Sequence, residues 1–453
     1  IAKDAFKPLS GDDKEVCKQL AKTNAAALKD LAKKRDAHAF GQMDVTSQGG
    51  SGLAELQALE ALPEDSTAQI AAKAEVYGAY LRQAKSGTLA QAAHLLLGAY
   101  LLPKRADTAD SIPTTATLYL TLQGVPLPAD QRGALAAAQA ACDEARVLHW
   151  PLAFPQVFAQ GGFDCVLGNP PWERIKLQEE EFFATRHRDV AQAKNKAERA
   201  QRIQWLSEGK LAHQLFPQHE HPPHECETEQ RLYGEFISAR RTAEAASLYA
   251  HVKGEDGGRY PLTGVGDVNT YALFAETISQ ITRPQGRSGF IVPTGIATDD
   301  TTKRYFGNLV QSERLVSLLA YENEEFIFQA VHHAFRFCML TIGPSASAEF
   351  AFFARQAQQV HDARRRFGLT SDEFRLINPN TLTCPVFRSK HDAELTKKIY
   401  RTAPVLINEN RSDGNPWGIS FTVMLHMSGD SHLFANAPAA GLLPLYEAKL
   451  IHQ

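Results

Sequence analysis

The run from Gly162 to Trp172 constrains this chain more than any other. Phe163-Asp164-Cys165-Val166-Leu167 is short and apolar, opened by Gly161-Gly162 and stopped by Gly168 and two prolines, which is how a buried parallel strand reads. Asn169-Pro170-Pro171-Trp172 then falls at the strand's carboxyl end, where open α/β sheets place their ligands. Consecutive prolines fix φ twice and restrict the residue before them, so the loop is rigid before anything binds. The Asn169 side chain and the Pro170 carbonyl supply two acceptors. Such a pair can hold both hydrogens of an exocyclic amino group and draw out a lone pair otherwise delocalised into a ring, leaving the nitrogen facing an electrophilic methyl. Trp172 adds a flat face on which an extruded base can stack. The rival interpretation, a rigid turn with a buried tryptophan, needs no chemistry. By contrast Asn415-Pro416-Trp417-Gly418 lacks the second proline and the preceding strand, and is predicted as a turn.

Around this run the text alternates strand and helix. A helix is expected from Asn269 to Thr282, strands at Ser288–Pro293, Leu315–Leu319 and Phe335–Ile342, and a helix from Thr302 to Val310. Alternation of this kind implies an α/β fold with a largely parallel sheet and crossover connections. Residues 1–145 read mainly as helix, including a buried one from Leu89 to Leu102, and Gly49-Gly50-Ser51-Gly52 reads as a flexible loop because no strand precedes it and no GKS or GKT follows. The expected layout is a helical region over 1–145, a catalytic core at 146–183 and 262–345, a helical insert at 184–261, and a mixed C-terminal region at 346–453.

At 453 residues, with a formal charge of −3, the chain has no global basic excess, so any grip on nucleic acid must come from locally concentrated cations. The insert offers one such stretch, Arg186, Arg188, Lys194, Lys196, Arg199 and Arg202, opposed mainly by Asp189 and Glu198. Its plain interpretation is a solvated helix; the functional one is contact with phosphates, for which Arg186, Arg188, Lys194 and Lys196 are the candidates. His219-Glu220-His221-Pro222-Pro223-His224-Glu225-Cys226 has metal-ligating residue types but no closed four-ligand spacing, so no metal is expected. Six widely spaced cysteines without a CxxC pair suit free thiols in a reducing cytoplasm. The longest apolar stretch falls short of the roughly 20 residues of a membrane span, so no membrane is expected as a partner. The ends, Ile1-Ala2-Lys3 and Leu450-Ile451-His452-Gln453, carry no start or stop signal, and the chain is expected to be a piece of a longer protein.

Residues Gly162 to Phe183, GFDCVLGNPPWERIKLQEEEFF, resemble motif IV of gamma-type amino-methyltransferases, and more closely the large type IIG restriction-modification enzymes and related phage-defence systems of the BREX and DISARM kind. AFKPLSGDDK at Ala5–Lys14, HWPLAFPQVF at His149–Phe158, GDVNTYALFAE at Gly266–Glu276, IVPTGIATDD at Ile291–Asp300 and NPNTLTCPVFRS at Asn378–Ser389 are similar to the same group. The resemblance implies a Rossmann-like class I methyltransferase core, partial in this chain, using S-adenosylmethionine to methylate N6 of a flipped adenine in double-stranded DNA. It implies Asn169, Pro170, Pro171 and Trp172 as catalytic residues, with Asn169 and Pro170 beside the cofactor's methyl group. The family's glycine-rich cofactor loop and ribose-holding acid are absent from this sequence. An aromatic residue meets the other face of the base in related enzymes, and Phe328, Phe335 and Phe337 are candidates here by position, each equally a core strand residue. Asp164 is expected to be structural and His332-His333 solvated. Other subunits of a defence system are candidate partners. The alternatives are methylation of a glutamine side-chain amide in a protein, for which Trp172 and the long inserts are unusual, and a DNA-binding or scaffolding subunit that acts only with partners.

Overall fold

Six strands form one sheet in the computed structural model, which describes residues 1–36, 45–219, 223–253, 258–426, 429–435 and 437–445. The strands are β1 (Leu167–Gly168), β2 (Ser288–Pro293), β3 (Leu315–Glu322), β4 (Arg336–Ile342), β5 (Ser347–Ala354) and β6 (Phe367–Thr370), in the spatial order β1-β2-β4-β3-β5-β6. β1 is parallel to β2 and β3 to β5, whereas β4 is antiparallel to both β2 and β3, and β6 to β5. Thus β1, β2, β3 and β5 share one direction, and β4 is inserted against it. The predicted alternation holds where the helix Thr270–Ile281 leads to β2 and the helix Lys303–Gln311 leads to β3. It fails between β3 and β4, where residues 323–335 hold only a 3-10 turn at Asn323–Glu325. Without a helix to cross over, the chain folds back antiparallel.

The core lies on one face of this sheet. Phe290, Val292, Leu318, Cys338, Leu340, Ile342 and Phe350 pack there with Tyr271, Ala275 and Ile278 of one flanking helix and Tyr305, Phe306 and Leu309 of the other. Full burial of each large apolar side chain contributes roughly 1.5–3 kcal/mol. The helix Thr270–Ile281 starts where it does because the Asn269 side chain accepts from the Tyr271 N–H at 3.3 Å.

Two expectations are corrected. The predicted strand Phe163–Leu167 is parallel but neither long nor buried: pairing is confined to Leu167–Gly168 and an isolated Phe163–Thr282 bridge, and Leu167 is 79% exposed. Its apolar sequence serves an edge position, where Asp164 instead pairs with Arg283. Gly49–Gly52 is helical, inside Val45–Glu60, because Leu56 and Leu59 of that helix bury against Tyr80 and tertiary packing overrides the weak helix propensity of glycine. The boundary expected after residue 345 falls between β4 and β5 of a single sheet.

The remaining described helices include Lys14–Asp36, Thr67–Ser86, Thr88–Leu101, Thr115–Leu122 and Gly133–Glu144 before the loop, and Lys196–Glu208 and Pro223–Ala250 in the insert. Thr88–Leu101 and Gly133–Glu144 approach so closely at Gly98 that a Cβ there would lie 2.6 Å from that of Ala138. A buried polar knot joins the N-terminal segment to the insert: Arg241 Nε donates to Asp12 at 3.1 Å, its other nitrogens reach the carbonyls of Leu101 and Leu102, and the Lys104 N–H donates to Asp12 at 2.9 Å. Among the described residues no helix is long and apolar enough to cross a membrane, and all six cysteines are free.

Candidate active site

The loop Asn169–Trp172 leaves β1 at its carboxyl end and is tied down from two sides. Thr270, the first residue of its helix, donates from Oγ1 to the Pro171 carbonyl at 2.8 Å and to the Glu173 carbonyl at 3.0 Å, and accepts from the Glu173 N–H at 3.1 Å. Its own N–H donates to the Glu173 carbonyl at 2.9 Å. From the other side, Trp172 Nε1 donates to the Ile291 carbonyl of β2 at 3.2 Å. Pro170 is buried between exposed Asn169 and exposed Pro171. The Asn169 side chain and the Pro170 carbonyl have no hydrogen-bond partner among the described residues. The two acceptors singled out by the sequence are therefore rigidly carried and unengaged.

Trp172 is half-buried in an aromatic cluster. Phe335 stacks on it with centroids 5.6 Å apart and planes 7° apart, Phe337 lies at 6.1 Å, and Phe328 meets it edge-on at 5.5 Å. All three phenylalanines proposed by position thus converge on Trp172. Phe337 is a buried strand residue stacked on Tyr321 at 5.4 Å, whereas Phe335 is 38% exposed. The loop carrying Phe328 and Phe335 is organised by Asn323, which is 0% exposed. Its Nδ2 donates to the carbonyls of Phe328 at 2.9 Å and Val331 at 2.8 Å, its Oδ1 accepts from the Phe328 N–H at 2.9 Å, and its own N–H donates to the Phe335 carbonyl at 3.0 Å. The sequence analysis missed both Thr270 and Asn323. For Thr270 a signal existed, since it follows the Asn269 cap; Asn323 stands out only once the β3–β4 fold-back is known.

Four of the insert's cations are engaged by groups on the insert or the short helix that leads into it. Arg186 lies over the Phe182 ring at 4.3 Å and donates to the Phe182 carbonyl, Arg188 donates to Gln192, Arg199 pairs with Glu180 at 3.0 Å, and Arg202 pairs with Glu198 at 2.6 Å. The Lys194 N–H is held by Glu198, and Lys196 lines a cleft with Glu180, Arg199 and Arg240. His332 and His333 lie 4.4 Å apart, His333 reaching Glu324 at 3.2 Å. Asn415–Gly418 forms a turn closed by the Gly418 N–H on the Asn415 carbonyl, with Trp417 77% exposed. Of the His219–Cys226 run, residues 220–222 lie outside the described residues, as do residues 446–453 at the C-terminal end.

For S-adenosylmethionine the fit is one-sided. Asn169 is exposed and its side chain has no partner among the described residues, which suits the polar, methyl-bearing end of that molecule. Beside β1 a cleft of about 620 Å³ is lined by Asp164, Leu167, Gly168, Gly289, Ile291 and Met339, mostly apolar. No glycine-rich loop follows a strand among the described residues.

A model of the Eco57I restriction-modification methylase family matches residues 120–204, which contain the Asn169–Trp172 loop. No curated protein matches the chain. Two solved structures are similar in part. One, named as a modification subunit of a type I restriction enzyme from Vibrio vulnificus YJ016, shares 11% identity at a TM-score of 0.19, over 67% of this chain and 66% of that one. The other is a nuclease-deletion mutant of the Type ISP restriction-modification enzyme LlaGI in complex with a DNA substrate mimic, at 9% identity and a TM-score of 0.18, over 78% of this chain and 37% of that one. This chain spans less than two thirds of either, and TM-scores so low carry no argument about its chemistry.

Proposed function

We propose that this chain supplies the acceptor-binding half of a DNA methyltransferase that methylates the exocyclic N6 of adenine and marks self DNA in a restriction-modification or phage-defence system. One observation carries the proposal: the Asn169 side chain and the Pro170 carbonyl stand unengaged at the carboxyl end of β1, on a loop fixed by Thr270 and by the Trp172–Ile291 hydrogen bond. The family match over residues 120–204 supports the methylase class, and the chemistry of two acceptors facing one amino group supports adenine within it.

In this mechanism an adenine leaves the duplex, its ring is received by Trp172, and its two amino hydrogens are held by Asn169 Oδ1 and the Pro170 carbonyl. Holding both hydrogens out of the ring plane localises the nitrogen lone pair, and no strong general base is required. S-adenosylmethionine, when bound, supplies the electrophilic sulfonium methyl, with Asn169 and Pro170 flanking its methyl end. Further subunits of the same system are its candidate partners, and the cytoplasm its expected compartment.

Single-molecule sequencing of DNA from cells expressing the full-length protein tests this. N6-methyladenine at one short sequence, lost with Asn169→Ala, is the expected result; unmodified adenine with both proteins folded and abundant would sink the reading.

A further inference from the structure

Where β3, β4 and β5 end beside the aromatic cluster, a cleft of about 660 Å³ gathers Arg336, Arg355, Arg364, Arg365 and Arg388 around Glu322 and Asp362. Five guanidiniums against two carboxylates make a local positive excess in a chain whose formal charge is −3. The excess is built in. Phe353 adopts φ +58°, a left-handed conformation that L-residues with bulky side chains rarely take. With that backbone, its ring lies 5.8 Å from the Arg336 guanidinium and 5.7 Å from that of Arg388, and its carbonyl accepts from Arg365 at 3.2 Å. Arg336 and Arg355 share one partner, Glu322, at 3.4 and 3.1 Å. Arg364 chelates Asp362, and together with Arg365 it holds that carboxyl well below the usual carboxylate range, so Asp362 stays ionised and the balance of five cations to two anions does not change with pH near neutrality. Arg365 acts on Asp362 only at longer range, and neither Arg365 nor Arg388 is ion-paired with a carboxylate among the described residues. The planar fork of arginine matches phosphate oxygens, and several forks along one open cleft match a chain of phosphates better than a single anion.

We propose that this cleft, and not the insert, grips the phosphate backbone of double-stranded DNA beside the base that enters the loop. The placement argues for it: Arg336 opens β4 between Phe335 and Phe337, whose rings both lie on Trp172, and because successive side chains leave a strand on opposite faces, the arginines and the aromatic cluster flank the same strand end, so a backbone seated on the arginines runs past the edge at which that cluster lies. The inference rests on the reading of Asn169–Trp172 as an acceptor loop for a DNA base, but its test does not depend on methylation.

The test is binding of the full chain to a fluorescent mixed-sequence duplex across a salt series, wild type against the triple variant Arg355→Gln, Arg364→Gln, Arg388→Gln. Each lost phosphate contact reduces the slope of log affinity on log salt by roughly 0.9, so the triple variant should lose roughly 2 to 3 from the slope and at least about tenfold in affinity at moderate salt. The corresponding triple lysine variant should keep most of both. Arg364→Glu alone, at a side chain 89% exposed, provides a variant whose folding is not at issue, and it should weaken binding in the same direction. An unchanged slope and affinity in the triple and single variants would overturn the proposal, as would competition by polyglutamate or by single-stranded RNA as effective as unlabelled duplex. Loss of duplex binding in these variants together with unmodified adenine in cells expressing the wild type would leave the cleft standing and remove the methylation reading; wild-type methylation with unchanged binding in the variants would do the reverse.

Discussion

Phe335 lies flat on Trp172, with ring centroids 5.6 Å apart and planes 7° apart. A base cannot stack on that tryptophan face while the phenylalanine occupies it, so entry of the acceptor requires Phe335 to move aside or the base to use the opposite face. An aromatic pair of this sort is worth about 0.5–1.5 kcal/mol beyond its area. If Phe335 is a cover, Phe335→Ala should tighten binding of a target-bearing duplex by up to about tenfold, since the pair no longer has to be broken. Trp172→Ala should weaken it, and should also cost on the order of 3–5 kcal/mol of stability through lost packing. Anisotropy and thermal melting measure both. Weaker binding in both variants would instead make Phe335 a direct contact to the base.

Thr270 holds the acceptor loop through one hydroxyl that reaches Pro171 and Glu173 together. Thr270→Val preserves shape and removes these bonds, which should cost about 1–2 kcal/mol of stability. Turnover should fall more than DNA affinity, because the hydroxyl positions Asn169 and Pro170 without touching the duplex. Thr270→Ser should restore turnover. A Thr270→Val enzyme with unchanged kcat would show that the prolines alone suffice to fix the loop.

The place of this loop was legible because two prolines, an asparagine and a preceding apolar run leave few alternatives for Asn169–Trp172. β2 was equally legible, since Ser288–Pro293 is apolar, bounded by glycine and proline, and lies against buried helices. The antiparallel β4 was not, because Phe335–Ile342 reads as a strand whichever way it runs and only the missing helix in residues 323–335 fixes its direction. The arginine cleft was invisible for a deeper reason. Arg336, Arg355, Arg364, Arg365 and Arg388 are scattered along the sequence and meet through β-pairing and the φ of Phe353, whereas Arg186 to Arg202 are clustered in sequence yet spend much of their charge on Glu180 and Glu198.

Asn323 joins β3 to the loop that bears Phe328 and Phe335. Asn323→Ala would remove the buried side chain that donates to the Phe328 and Val331 carbonyls of an otherwise largely exposed turn, at a cost on the order of 1–3 kcal/mol. Hydrogen exchange should show residues 323–335 opening well before the strands. Equal protection of this loop in the variant and the wild type would mean that the aromatic packing on Trp172, and not the asparagine, holds it.

Lys104 gives the stability a pH dependence whose sign can be worked out. Burial, reinforced by Arg241, pushes its ammonium down to about 8, against an ordinary value of 10.5. Between these values the unfolded chain binds a proton that the folded chain does not, so stability rises with pH across that window. The rise is cut short from above. Burial raises the Cys17 thiol above its usual 9, the Cys142 thiol to about 11 and the fully buried Cys338 and Cys384 thiols well above their usual range, so as the pH approaches 9 the unfolded chain releases protons that the folded chain keeps, and stability falls. The net expectation is a shallow maximum between pH 8 and 9, the Lys104 contribution rising as the thiol contributions begin to cancel it. Lys104→Met removes the ammonium while keeping the length of its chain. In chemical denaturation it should abolish the rise and leave the fall at higher pH in place, and it should be at least as stable as the wild type at pH 7, where the buried charge is still present in the native chain. A rise that persists in Lys104→Met would assign it to another group, and a large loss of stability at pH 7 would mean that the contact of Lys104 with the Leu102 carbonyl outweighs the cost of burying its charge.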